Sequence, residues 1–103
     1  MELIETTVFT RQVSAQLTDD QYRALQLALI LRPASGVLIP GSGGLRKLRW
    51  RMEGRGKRGG ARVIYYWHAE AGRIFLLFLY PKNARSNLSH TQLRLLRQLV
   101  SNE

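Results

Sequence analysis

The chain has 103 residues, 45% of them hydrophobic, enough for one modest core and too few for a second domain, so residues 1–103 are read as a single unit. It has no cysteine, which excludes a disulfide framework, a thiolate metal site and a thiolate nucleophile, and fits a reducing compartment such as the cytoplasm. Sixteen Lys and Arg against seven Asp and Glu leave a net charge of +9, so the expected partner is a polyanion, an acidic protein, or both.

Leu3 to Phe9 mixes β-branched and apolar residues and reads as a strand. Thr18-Asp19-Asp20-Gln21 has the form of a helix capping box, and Tyr22, Leu25 and Leu29 follow at helical spacing until Pro33 ends the helix. Residues 33–44 are dense in Gly, Pro and Ser and read as a connecting loop. Leu45 to Met52 alternates with period two: Leu48, Trp50 and Met52 share one face, while Lys47, Arg49 and Arg51 share the other. Gly54 to Gly60 reads as a hairpin loop, and Ala61 to His68 as a strand rich in β-branched and aromatic residues. After a turn near Gly72, Ile74 to Tyr80 is apolar on both faces, the mark of the most buried strand. Ser89-His90-Thr91-Gln92 repeats the capping-box form before a terminal helix with Leu93, Leu96 and Val100 along one stripe.

This order predicts an α+β domain: an antiparallel meander with the N-terminal strand at an edge, helices packed on one face, and a short C-terminal helix. The other face is then left to carry the cations. The acidic N-terminus does not resemble a secretory signal, and the longest apolar run is too short to cross a bilayer, so no membrane segment is expected.

The charge is not spread evenly. Residues 1–43 hold three cations and four acids, whereas residues 44–62 hold Arg46, Lys47, Arg49, Arg51, Arg55, Lys57, Arg58 and Arg62 against Glu53 alone. On a strand, Lys47, Arg49 and Arg51 stand about 6.5 to 7 Å apart, a spacing that suits successive phosphates of a single nucleic-acid strand. Of Tyr65, Tyr66 and Trp67, one is expected on the surface as a stacking partner for bases, the others in the core.

Other chemistries find little support. Gly54-Arg55-Gly56-Lys57-Arg58-Gly59 matches the dinucleotide fingerprint formally, but a strand follows where a helix is required, so no small-molecule cofactor is expected. His68 and His90 are far apart and the carboxylates lack ligand spacing, so no metal site is expected either.

The cations themselves suit metal-independent cleavage of RNA. The 2′-hydroxyl is an internal nucleophile that needs a base, cations to hold the pentavalent phosphate, and an acid for the leaving 5′-oxygen. Arg58 and Arg62 suit the clamp, because a guanidinium is always charged and forks onto phosphate oxygens. Lys57 or Lys82 suits the base or the acid, since neighbouring cations favour the neutral amine. A simple phosphate contact is the alternative for each lysine.

The runs Gly43-Gly44-Leu45-Arg46-Lys47-Leu48-Arg49, Gly54 to Tyr66 with its Gly-Lys-Arg-Gly-Gly-Ala-Arg core, and Leu79-Tyr80-Pro81-Lys82-Asn83 resemble the HigB branch of the RelE/ParE toxin superfamily. The resemblance spans nearly the whole chain. It implies a RelE-like toxin of a bacterial type II toxin–antitoxin system, a cytoplasmic endoribonuclease that enters the ribosomal decoding site and cleaves mRNA. It implies a helix-turn-helix antitoxin as cognate partner. Carried over by position, Lys47 and Arg49 match the family's basic strand, Arg62 the arginine after the hairpin glycine, and Lys82 the basic residue after the last strand. Lys57 and Arg58 belong to this branch's own loop. Two places depart: RelE has an arginine where Asn83 stands, and a tyrosine near the place of Ser89. Tyr80 is a substitute for that phenol or a structural residue.

The expected site is therefore Lys57, Arg58, Arg62 and Lys82 for catalysis, with Lys47, Arg49, Arg51, Arg55 and Tyr80 binding RNA. The ParE branch shares the fold and inhibits DNA gyrase without cutting RNA, and a non-catalytic RNA-binding module would use the same basic strand.

Overall fold

The computed structural model describes residues 1–51, 60–84 and 87–101. Strand β1 (Glu2–Glu5) leads into helices α1 (Thr7–Gln16) and α2 (Asp19–Leu31). Strands β2 (Val37–Leu38), β3 (Arg46–Trp50), β4 (Ala61–His68) and β5 (Arg73–Pro81) follow, and helix α3 (His90–Ser101) comes last. The sheet order is β1-β5-β4-β3-β2. The expected α+β meander of β3, β4 and β5 is present, and β1 lies at an edge, parallel to β5.

The expected strand from Leu3 to Phe9 stops at Glu5. Thr6 caps α1, its hydroxyl accepting from the Phe9 amide, and Phe9, Val13 and Leu17 then recur every fourth residue and are buried. The early departure of β1 has a structural cost, because its pairing with β5 ends at Leu76. Side chains from the helix side take over the exposed edge. The Thr6 hydroxyl donates to the Leu77 carbonyl at 3.0 Å, Gln12 Oε1 accepts from the Leu79 amide at 2.7 Å, and Gln16 Nε2 donates to the Leu79 carbonyl at 3.2 Å. These bonds supply what a longer neighbouring strand would have supplied.

Both predicted capping boxes form, at Thr18 with Gln21 and at Ser89 with Gln92. The stretch read as loop over 33–44 contains β2, which pairs with Arg46 and Lys47. Two residues among glycines and prolines carry no period for a sequence reading to detect.

The two apolar faces of β5 are covered by different helices. On one side Phe9, Val13, Leu17, Leu25 and Leu29 pack on Val63, Tyr65, Ile74, Leu76 and Leu79. On the other, Leu93 and Val100 of α3 pack on Leu45, Ile64, Phe75, Leu77 and Tyr80. α1 and α2 thus share a face, while the C-terminal helix covers part of the opposite one. A β-bulge sets which side chains go where. Ile64 pairs with Phe78 but Tyr65 with Leu76, leaving Leu77 as the extra residue on β5. The insertion shifts the alternation by one, so Tyr80 falls on the α3 face beside Phe75 and Leu77 rather than in the other core.

Candidate nucleic-acid interface

The register of the meander assembles the cations. Leu48 and Trp50 pack into the core beneath α1 and α2, which turns Lys47 and Arg49 to the α3 face. Across the strands, Arg49 is paired with Arg62, and Arg62 with Tyr80, so the three stand in one row across β3, β4 and β5. Lys47 lies two residues along, opposite Ile64. Lys82 is exposed just past the end of β5, its amide bonded to the Gly60 carbonyl at 3.1 Å. Its stem passes beside Gly60, where an added Cβ would lie 3.9 Å from Lys82 Cβ and Cδ.

Directly opposed side chains on neighbouring strands are about 5 Å apart at Cβ, and like charges there are destabilising. Arg49 and Arg62 are such a pair. Among the described residues the ion pairs are Asp20–Arg23 on α2 and Glu2–Arg73 at the opposite end of β5, and neither reaches this row. An anion bridging the two guanidinium groups would relieve that repulsion, and a phosphodiester matches their fork geometry.

The structure sorts the remaining expected residues. Arg51 is exposed just past β3. Arg46, part of the same cationic run, turns away and donates to the carbonyls of Ala34 and Gly36 at 3.2 and 2.8 Å, holding the loop after α2. Tyr80 is 4% exposed, so it belongs to the floor of this face and not to its surface. Arg55, Lys57 and Arg58 lie outside the described residues.

None of the three aromatic residues of β4 is exposed as a stacking platform. Tyr65 is fully buried, its hydroxyl donating to the Pro33 carbonyl and accepting from the Gly36 amide, both at 2.8 Å. Tyr66 is half-buried beneath the Arg97 guanidinium, whose Cζ lies 4.6 Å from the ring centroid. Trp67 is half-buried against the α1/α2 core. The strand alternation was legible, but the cover that α3 and its Arg97 provide was not.

Beside the cation row is a cavity of about 310 Å³ between the sheet, the start of α3 and the Ile39–Pro40 loop. Its wall includes Lys47 and Tyr80, together with His90, weighed above only as a metal ligand, and Asn87, which sequence reasoning did not single out. Lys47 Nζ donates to Asn87 Oδ1 at 2.9 Å. Forty residues separate the two, and only the passage of the chain onto the α3 face joins them.

A model of the RelE toxin of the RelE/RelB toxin–antitoxin system matches residues 5–102. The chain belongs to the RelE toxin family. It is therefore a toxin of a toxin–antitoxin system, with an antitoxin as its partner. Within this RelE-family chain the match takes in both helical layers and the whole cationic face. Among the described residues no helix is long and apolar enough to cross a membrane.

Proposed function

We propose that this RelE-family toxin is a ribosome-dependent mRNA interferase of the HigB type that cleaves RNA with Lys and Arg side chains and without a metal ion. The observation that carries the reading is the row of Arg49 and Arg62 with Lys47 and Lys82 beside it, on one face and without a carboxylate partner among the described residues. RelE-family toxins are generally endoribonucleases. The row has the charge to hold a phosphodiester as it gains a negative charge in the transition state.

In the proposed reaction the 2′-hydroxyl oxygen attacks the adjacent phosphorus, the bond from phosphorus to the 5′-oxygen breaks, and the upstream fragment closes as a 2′,3′-cyclic phosphate. The proton leaves the 2′-oxygen for a base, and another is delivered to the departing 5′-oxygen by an acid. Arg62, with Arg49 across from it, clamps the non-bridging oxygens, and Arg58 adds to the clamp. Lys82 and Lys57 serve as the acid and base, either way round. Lys47, Arg49, Arg51 and Arg55 hold flanking phosphates, and Tyr80 supports the row from below. The ribosome supplies the extended mRNA in the decoding site, so the reaction is cytoplasmic. The cognate antitoxin is a helix-turn-helix protein.

The test adds the purified toxin to a translating bacterial extract with a defined mRNA and maps new ends, with ribosomes present or removed. Cuts that require ribosomes and fall at least a hundredfold with Arg62→Ala are expected. Intact mRNA with inhibited DNA gyrase would contradict the reading, and so would a graded, equal loss over all cation substitutions.

A further inference from the structure

We infer that a second cavity, between the Gly41–Gly44 turn and the flank of α3, is a phosphate-binding site separate from the cation row, with Arg94 and Arg97 as its cations. The source of the phosphate, the flanking backbone of an RNA strand held by Arg49 and Arg62, rests on the RNA-directed reading of this face. The site itself rests on its own geometry.

His90, Arg94 and Arg97 recur at helical spacing along α3 and line this cavity of about 330 Å³ together with Gly41 and Gly43. No Asp or Glu lines it among the described residues, and α3 has none from His90 to Ser101. Arg94 is exposed and takes part in neither of the ion pairs among the described residues. Arg97 is held in place: its Nε donates to the Gly43 carbonyl at 2.9 Å, and its guanidinium lies over the Tyr66 ring. A cation fixed in this way loses less freedom when an anion arrives than one on a mobile stem.

The facing turn suits an anion for a separate reason. Gly41 and Gly43 have φ of +71° and +78°, and Ser42 between them does not share that hand. Alternation of hand along three residues turns successive amides toward one side, the concavity in which anions sit. Ser42 is buried and pins the turn, its hydroxyl donating to the Ile39 carbonyl at 2.6 Å and accepting from the Leu45 amide at 3.0 Å. The amides of Gly41 and Gly43 meet no protein acceptor among the described residues, and open space lies in front of Gly41. Backbone donors on one wall and guanidinium forks on the other are what phosphate oxygens require.

The cavity is continuous with the cation row. His90 lines both this cavity and the one that Lys47 borders, and the Ile39–Pro40 segment of the first wall runs directly into Gly41 of the second. An RNA strand leaving Arg49 and Arg62 past Lys47 is therefore led to Arg94 only if it is long enough. The two phosphodiesters of a trinucleotide are taken up by the row itself.

The test compares wild type, Arg94→Gln and Arg11→Gln, the last removing an equal charge from the surface of α1. Binding of the full chain to a uridine trinucleotide and to oligouridine of about twelve nucleotides is followed by fluorescence anisotropy over a range of salt, and binding of pyrophosphate by calorimetry at constant ionic strength. Arg94→Gln should lower the salt slope for the longer RNA by about 0.7, one phosphate contact on a single strand, and leave the trinucleotide slope unchanged. It should also weaken pyrophosphate about tenfold, the effect of one charge-assisted contact. Arg11→Gln should change none of these. Arg94→Gln and Arg11→Gln behaving alike on both probes would overturn the site. A loss confined to pyrophosphate would keep the phosphate site and overturn its RNA source. An Arg94-dependent slope together with intact mRNA in the translating extract would remove the cleavage reading and keep the site, and cleavage with no effect of Arg94→Gln on either probe would do the reverse.

Discussion

Arg49 on β3 and Arg62 on β4 are direct cross-strand partners, two guanidinium side chains facing each other on the same side of the sheet. A fold optimised for stability would place an acid at one of these positions. Arg49→Gln removes the repulsion while keeping a long polar side chain, and should raise stability by about 0.5 kcal/mol. For a domain of this size that is a rise of roughly 2 to 4 °C in melting temperature. The same variant should cleave mRNA at least tenfold more slowly. Melting curves and cleavage rates measured on one preparation check the pair of effects, and a variant that is both less stable and fully active would contradict it.

Gln12 stands in for a missing strand. Its Oε1 accepts the Leu79 amide beyond the point where β1 ceases to pair with β5, so Gln12→Ala leaves that buried amide without its acceptor. The expected cost is about 1 to 3 kcal/mol in urea unfolding. Amide exchange at Leu79 should accelerate more than at Tyr65, which sits in the middle of the meander.

Tyr22 links α2 to the start of the chain through a hydrogen bond from its phenol to the Glu5 carboxylate. Burial, and then the bond and the charge of Glu5, push the phenol well above its ordinary value near 10. The folded state therefore holds this proton more tightly than the unfolded one. Its stabilising contribution is complete below about pH 10 and declines as pH rises from there toward the folded value. Chemical unfolding between pH 9 and 11 should show the wild type losing stability faster than Tyr22→Phe. Parallel curves would remove Tyr22 from the alkaline response.

Much of this was written in local pattern. Alternation in Leu48, Trp50 and the cations between them assigned both faces of β3, and the two capping boxes located the starts of α2 and α3. The apolar character of β5 on both faces marked it as the most buried strand, but the expected packing put the helices on one face, and the cover that α3 gives the other was not foreseen. What escaped the sequence were features decided by competition or by distance. Thr7 and Val8 favour a strand locally, yet the Thr6 cap and the burial of Phe9 and Val13 draw them into α1. The bulge at Leu77, which turns Tyr80 toward the cationic face, leaves no mark in composition. Asn87 bonds Lys47, and His90 lines the same cavity, only because the chain passes onto this face of the sheet, and no spacing along the chain encodes that meeting.

The most direct test of the central claim is the chemistry of the ends. Attack by the 2′-hydroxyl must leave a 2′,3′-cyclic phosphate on the upstream fragment and a 5′-hydroxyl on the downstream one. We predict that mRNA cut in a translating extract carries downstream ends that a kinase labels directly, without prior phosphatase treatment, and that Arg62→Ala abolishes them. Downstream ends already bearing a 5′-phosphate would mean that water, and not the neighbouring hydroxyl, attacks the phosphorus, and would contradict cleavage by the Lys and Arg cluster.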